Sequence, residues 1–179
     1  MKRCVISVLV YNEYGVVTRV SGLFTRRGFN IESFTGEETE DPRISRLTIV
    51  AKGDERELDQ IKKQLAKLVD VIKIKELDPE WSVGRELALI KVKSSSSNRS
   101  EIIQIVDIFR ANIVDVSDKS LVIEATGEKR KIKALMDLLK PYGIIETVRT
   151  GLIALQRGNE GIISEEEFKE ILDNAADKD

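Results

Sequence analysis

The most constraining feature of this sequence is an order of elements that occurs twice. In each half, apolar residues recur in the order strand, helix, strand, strand, helix, strand. The halves also share residues where the third strand leads into the second helix: Ala51-Lys52-Gly53-Asp54-Glu55-Arg56 corresponds to Ala125-Thr126-Gly127-Glu128-Lys129-Arg130. We expect each glycine to supply the turn, with an acidic residue at the helix N-terminus. The pattern predicts an α+β chain of two ferredoxin-like βαββαβ domains in tandem.

Hydrophobic periodicity places the individual elements. Strands are predicted at residues 4–10, 31–39, 43–51, 71–77, 87–93, 113–116, 121–126 and 144–148. Helices are predicted around residues 16–24, 58–68, 102–109 and 132–139, and the capping box from Ser164 to Glu167 predicts a short further helix. Because the first strand is almost continuously apolar, we expect both faces of its sheet to be covered.

The polar stretch from Pro79 to Gly84 is the natural boundary between the two domains. We therefore expect domains at residues 1–78 and 85–158, a linker at 79–84, and a helical tail with a frayed end at 159–179.

Composition excludes most catalytic chemistry. The chain has 179 residues, no histidine and one cysteine, Cys4. It therefore lacks the commonest general base and the commonest transition-metal ligand, and it can form neither an internal disulfide nor a cysteine metal cage. We expect no catalytic residue, no metal site and no cofactor on this chain, and a reducing, cytoplasmic location.

Charge and hydropathy argue against nucleic acid and membrane as partners. A formal net charge of −2 is not the basic surface that phosphate attraction requires. No segment approaches the ~20 apolar residues that cross a bilayer, which predicts a soluble protein.

Two short segments are candidates for binding an amino acid. Asn12 and Gly15 lie between the first strand and the first helix, where exposed amides around Val16 and Val17 would sit at the positive end of the helix. Asn30 and Ile31 lie at the entry to the second strand, where an amide and an apolar wall would meet a zwitterion. Spacing alone leaves the structural alternatives open: a capped helix with a glycine turn, and a turn asparagine beside a core isoleucine.

The stretch from Arg27 to Phe34 raises an RNA-binding alternative, because it partly matches the signature of the RRM. The match lacks the middle stacking aromatic, where Ile31 stands, and it precedes the second strand instead of lying on the third. RNA binding would require Phe29 and Phe34 to stack on bases.

Ordered blocks along the chain resemble the small, regulatory subunit of acetolactate synthase (acetohydroxyacid synthase). They are Gly15 to Val20, Gly22-Leu23-Phe24-Thr25-Arg26-Arg27-Gly28-Phe29-Asn30-Ile31, Ser45-Arg46-Leu47-Thr48-Ile49, Gln64-Leu65-Ala66-Lys67-Leu68-Val69-Asp70-Val71, Arg85-Glu86-Leu87, Ile113-Val114-Asp115-Val116, Arg149-Thr150-Gly151 and Arg157-Gly158.

The resemblance implies an ACT amino-acid-sensing domain at residues 1–78 that pairs edge to edge in a homodimer. A branched-chain amino acid (valine, isoleucine or leucine) would sit where the chains meet. Asn12 and Gly15 of one chain, with the amides of Val16 and Val17, would face Asn30 and Ile31 of the other.

The resemblance also implies a non-catalytic role. The subunit would activate a large catalytic subunit and confer feedback inhibition, while thiamine diphosphate, magnesium and FAD belong to that catalytic partner. The alternative is a stand-alone ACT-type ligand-binding protein without an enzyme partner.

Overall fold

A computed structural model of the chain describes residues 2–176. The strands are β1 (Lys2–Tyr11), β2 (Asn30–Glu38), β3 (Ile44–Gly53), β4 (Val71–Leu77), β5 (Ser82–Lys93), β6 (Asn112–Val116), β7 (Ser120–Gly127), β8 (Ile144–Arg149) and β9 (Ile153–Gln156). The helices are α1 (Val16–Arg27), α2 (Glu55–Leu65), α3 (Arg99–Ile108), α4 (Lys129–Leu139) and α5 (Glu165–Ala176). The expected double βαββαβ order and the terminal helix are confirmed.

The contacts divide the chain into two compact units. One unit runs to Val83 and also includes the chain from Ala154 onward, and the other is Gly84–Ile153. The domain limits drawn from the sequence, 1–78 and 85–158, stay a proposal.

The first unit contains a four-stranded antiparallel sheet in the order β2-β3-β1-β4. Helices α1 and α2 bury their apolar sides with one face of this sheet in a common core. Alternate residues of β1 (Cys4, Ile6, Val8 and Val10) belong to that core. This order leaves β2 and β4 as the edges of the sheet.

The opposite face of β1 is also buried, which confirms the expectation that both faces are covered. Ser7 and Leu9 are 0% and 3% exposed, and on β3 the buried Thr48 pairs with Ser7. Arg46 extends over this face and donates a hydrogen bond from Nε to Ser7 Oγ at 2.9 Å. A strand buried on both faces is apolar throughout, which explains the unbroken run in the sequence.

The second unit repeats the arrangement with the sheet order β6-β7-β5-β8, and β9 also pairs with β5. Its core is separate from the first and includes Ile90, Ile102, Ile123, Ile132 and Leu135, all buried. The buried Glu86 at one end of β5 accepts hydrogen bonds from the guanidinium of Arg149 on β8.

Three details differ from the sequence expectations. Strand β5 begins at Ser82, within the segment expected to be a linker, and β9 has too few alternating residues to be recognised by period. Gly53 and Gly127 do not adopt the positive φ of a glycine turn. Instead, a Cβ at Gly53 would lie 2.8 Å from Glu57 Oε2, and one at Gly127 would lie 2.6 Å from Lys131 Cδ. At each glycine a side chain from the following helix packs over the position that a Cβ would occupy, so a larger residue there would have to displace that side chain.

The end of α1 positions the start of β2. Gly28 has φ 68° and ψ 21°, the left-handed conformation that commonly ends a helix. The N–H of Phe29 then donates to the carbonyl of Phe24 at 3.0 Å, and the two rings pack edge to face with centroids 6.4 Å apart. The next residue, Asn30, therefore enters the sheet from a fixed point.

Candidate ligand-binding site

Asn12 follows the last residue of β1 and fixes the turn between β2 and β3. Its Nδ2 donates to the carbonyl of Pro42 at 2.8 Å and to Glu38 Oε1 at 3.1 Å, while Oδ1 accepts from Ser45 Oγ at 3.0 Å. Both amide hydrogens are therefore used within one chain. Because Glu38 is an exposed carboxylate, its bond is the one that a ligand could replace at least cost.

The loop after Asn12 leads to a helix N-terminus with unpaired donors. Gly15 has φ 79°, and a Cβ there would lie 3.2 Å from Arg19 Nη1. The expected free amide at Val16 needs correction, because this N–H donates to the carbonyl of Glu13 at 3.2 Å. Among the residues that the structure describes, none accepts a hydrogen bond from the N–H of Val17 or of Thr18. The first turn of α1 contains no acidic residue, so its positive end is available to an anion.

Arg19 and Asp70 hold this loop in place, and sequence reasoning did not single them out. Arg19 Nε and Nη2 donate to the two oxygens of Asp70 at 2.6 and 2.8 Å, and Nη1 donates to the carbonyl of Tyr14 at 3.1 Å. The hydrogen bond to Asp70 raises the pKa of Arg19 above its ordinary value. Asp70 is only 8% exposed, and its carbonyl accepts from the N–H of Tyr11 at 2.9 Å. A signal was present: an aspartate among the apolar residues that lead into β4.

Asn30 and Ile31 lie at the other end of the same sheet. Asn30 is exposed and pairs with Lys52 of β3, whereas Tyr11, beside Asn12, pairs with Ile44. The eight residue-to-residue steps from Ile44 to Lys52 on β3 correspond to about 27 Å at ~3.4 Å per residue. Ile31 is partly buried and packs against the core. The six candidate positions therefore form two separate groups within one chain.

The structure disfavours the RNA-binding alternative. Phe29 and Phe34 are partly buried and pack against the hydrophobic core on the helix side of the sheet. Their rings are not presented on an open sheet face, as base stacking requires.

The described residues contain no group of three or more His, Cys, Asp or Glu side chains that could hold a metal ion. None of the helices in residues 2–176 is long and apolar enough to cross a membrane.

Cys4 is a core residue, 2% exposed, and we expect it to be inert in the folded protein. Burial, together with a hydrogen bond to Glu76, raises the pKa of its thiol to about 12. At pH 8 only about one molecule in ten thousand would hold the reactive thiolate. Iodoacetamide at pH 8 should therefore leave the native chain unlabelled by mass spectrometry and label it quantitatively in denaturant. Labelling of the native chain at the rate of a free thiol would contradict the burial of Cys4.

Comparison with known proteins identifies the two units. Residues 6–73 match the family model of the "AHAS small subunit-like ACT domain", and residues 85–158 match that of the "Small subunit of acetolactate synthase". The fold and these matches define a class: a regulatory subunit with an ACT domain, which is not itself the catalytic subunit.

Individual relatives support the same family assignment as the family models. A probable acetolactate synthase small subunit of Methanothermobacter thermautotrophicus is 54% identical over 87% of this chain and 93% of that protein. The acetolactate synthase small subunit of Bacillus subtilis is 49% identical over 89% of this chain and 93% of that protein. The crystal structure of the small subunit from Thermotoga maritima has a TM-score of 0.84 and 45% identity, covering 89% of this chain and all of that one. The chain belongs to the acetolactate synthase small subunit family.

Proposed function

We propose that this chain forms a cytoplasmic homodimer that binds valine or another branched-chain amino acid between its amino-terminal units. In this proposal it also activates a catalytic acetolactate synthase subunit and confers feedback inhibition on it. The observation that carries the proposal is the placement of Asn12 and Asn30 at opposite ends of one sheet, about 27 Å apart. A single small ligand cannot touch both residues in one chain.

Pairing of two β2 edges would bring the two groups together. A two-fold axis makes the paired strands antiparallel, so the start of β2 in one chain lies beside the end of β2 in the other. The end of β2 is Glu38, whose carboxylate is bonded to Asn12. Asn30 of a second copy would therefore approach Asn12, and the dimer would contain two equivalent sites.

The groups that meet at this seam suit an α-amino acid. The free N–H groups of Val17 and Thr18 at the head of α1 would receive the carboxylate. The side-chain oxygen of Asn30 and the carboxylate of Glu38 would accept from the ammonium group. Ile31 offers an apolar surface to an aliphatic side chain, which favours valine, isoleucine or leucine over polar amino acids.

Regulation then follows from where the ligand sits. A ligand held by two chains favours the arrangement of the units in which both halves of its site are aligned, and differential affinity of this kind is typically worth 1–3 kcal/mol. The catalytic subunit would carry the thiamine diphosphate, magnesium and FAD. This chain would supply the activation and the sensing of the amino acid.

Calorimetry on the purified full chain tests the sensing directly. We expect saturable heat with valine, isoleucine or leucine and one site per chain, with no saturable heat from aspartate at the same concentration. The absence of binding by all three at millimolar concentration would overturn the proposal. Failure to co-purify with, and to activate, the catalytic subunit would instead favour the stand-alone ligand-binding alternative.

A further inference from the structure

Residues 159–179 lie outside the matched family models, and those that the structure describes belong to the first unit. Helix α5 begins with a complete capping box: the N–H of Glu167 donates to Ser164 Oγ at 3.1 Å, and the N–H of Ser164 donates to Glu167 Oε2 at 3.0 Å. The pattern Ser-x-x-Glu is a local start signal for a helix. The segment is therefore a defined element with its own start signal.

Three polar contacts attach this segment to the amino-terminal sheet. Lys73 Nζ donates to the other oxygen of Glu167 at 3.1 Å, and Lys75 Nζ donates to the carbonyl of Gly161 at 3.2 Å. Further along α5, Arg43 Nη1 donates to the carbonyl of Leu172 at 3.4 Å.

The two lysines identify the face that α5 occupies. Lys73 pairs with Leu9 and Lys75 pairs with Ser7, and these β1 residues point away from α1 and α2. Leu9 and Ser7 are buried, as described above. The segment from Gly161 to Leu172 therefore lies along the outer face of the sheet, opposite its two helices.

Arg43 connects the segment to Asn12. The carbonyl of Arg43 accepts from the N–H of Asn12 at 2.7 Å, and the preceding carbonyl, that of Pro42, accepts from the Asn12 side chain. The Arg43 guanidinium also bonds both oxygens of Asp41, at 3.0 and 2.9 Å. One residue thus contacts both α5 and the backbone of a candidate ligand residue.

We propose that α5 is an intramolecular cover of the outer face of the amino-terminal sheet, and that through Arg43 it holds the β2–β3 turn in the position that fixes Asn12. The link to ligand affinity rests on the proposed function, whereas the cover does not. Loss of the cover exposes the outer face and lets the turn move, so ligand affinity falls without any change in a residue that touches the ligand.

Glu167→Gln tests the cover in the full-length chain. Glutamine can replace glutamate in a capping box, so the helix start is kept while the attraction to Lys73 is lost. We expect amide hydrogen exchange in residues 41–45 and 71–77 to rise about two- to fivefold, the effect of one exposed ion pair. Glu166→Gln is the matched control: it removes the same charge from the same turn, and Glu166 forms no ion pair among the described residues.

Two further variants complete the test. Lys73→Met breaks the same contact from β4, and the double variant with Glu167→Gln should exchange no faster than either single one. Truncation after Gly158 removes all three contacts, and we expect at least a tenfold increase. Unchanged exchange in both the point variants and the truncated chain would overturn the cover.

Valine titration of the same variants tests the link to Asn12. Affinity should fall together with the loss of exchange protection, by a few-fold in Glu167→Gln and more in the truncated chain. Faster exchange with unchanged affinity would overturn the link and keep the cover. If the unaltered chain binds no branched-chain amino acid, the proposed function fails, and the exchange data still decide whether α5 covers the sheet.

Discussion

Replacing Asn30 with alanine should weaken inhibition of the reconstituted enzyme by valine about 10- to 150-fold while leaving its activation largely intact. A hydrogen bond to a charged group contributes about 1.5–3 kcal/mol, and this substitution removes one such bond to the ligand. Asn30 is exposed at the first position of an edge strand, so its loss costs the fold little. The measurement is the valine concentration that gives half-maximal inhibition, set against the activity without valine.

The second unit contains a matched control. Asn112 is the first residue of β6, is also exposed, and donates to Glu124 Oε1 at 3.2 Å. It occupies the position in the second unit that Asn30 occupies in the first, yet it lies outside the proposed site. Asn112→Ala should leave inhibition by valine unchanged. Equal loss of activation and inhibition in Asn30→Ala would mean that the residue supports the fold or the assembly and not the ligand.

Replacing Phe24 with alanine should destabilise the first unit by about 3–5 kcal/mol, the usual cost of truncating a buried aromatic residue. Phe24 is 1% exposed and is among the largest fully buried side chains of the described chain. Its ring also packs on Phe29, directly before Asn30, so the loss should loosen the entry to β2 and weaken valine binding as well.

Chemical denaturation monitored by hydrogen exchange measures the free energy of unfolding of each unit separately. The second unit has its own core, so its protection should hardly change in Phe24→Ala. Phe24→Leu is the graded control: it keeps most of the apolar volume and should cost clearly less. A loss below 1 kcal/mol in Phe24→Ala would show that the core around α1 can collapse onto the vacated space.

Hydrophobic periodicity, together with the turn residues between elements, was enough to predict the order of the elements. Alternation placed β3, and helical spacing that ends at Gly28 placed α1, because each element buries one side against a common core. Strand β4 matches the predicted range from Val71 to Leu77. The start of β5 and the four residues of β9 were missed, since both depend on pairing partners that are distant in sequence.

Only part of the candidate site could be predicted from the sequence. The candidate positions and the turn at Gly15 could be chosen from residue type, because a glycine before a helix and an asparagine after a strand are local signals. The ion pair between Arg19 and Asp70 could not, because 51 residues separate its members. Nor did the sequence reveal that Asn12 uses both of its amide hydrogens within its own chain, because Pro42 and Glu38 reach it only once β1 and β2 are aligned on β3.

The two edge strands of the amino-terminal sheet, β2 and β4, differ in their charged residues, and we expect this difference to limit how copies of the chain assemble. Strand β4 carries Lys73 and Lys75, whose ammonium groups are engaged by the chain after residue 158, and lysines on a border strand discourage another strand from adding there. Strand β2 contains no lysine. Pairing β2 of one chain with β2 of another closes the assembly at two copies, whereas pairing β2 with β4 would add chains without limit and form a fibre. We therefore expect assembly through this sheet to stop at two chains.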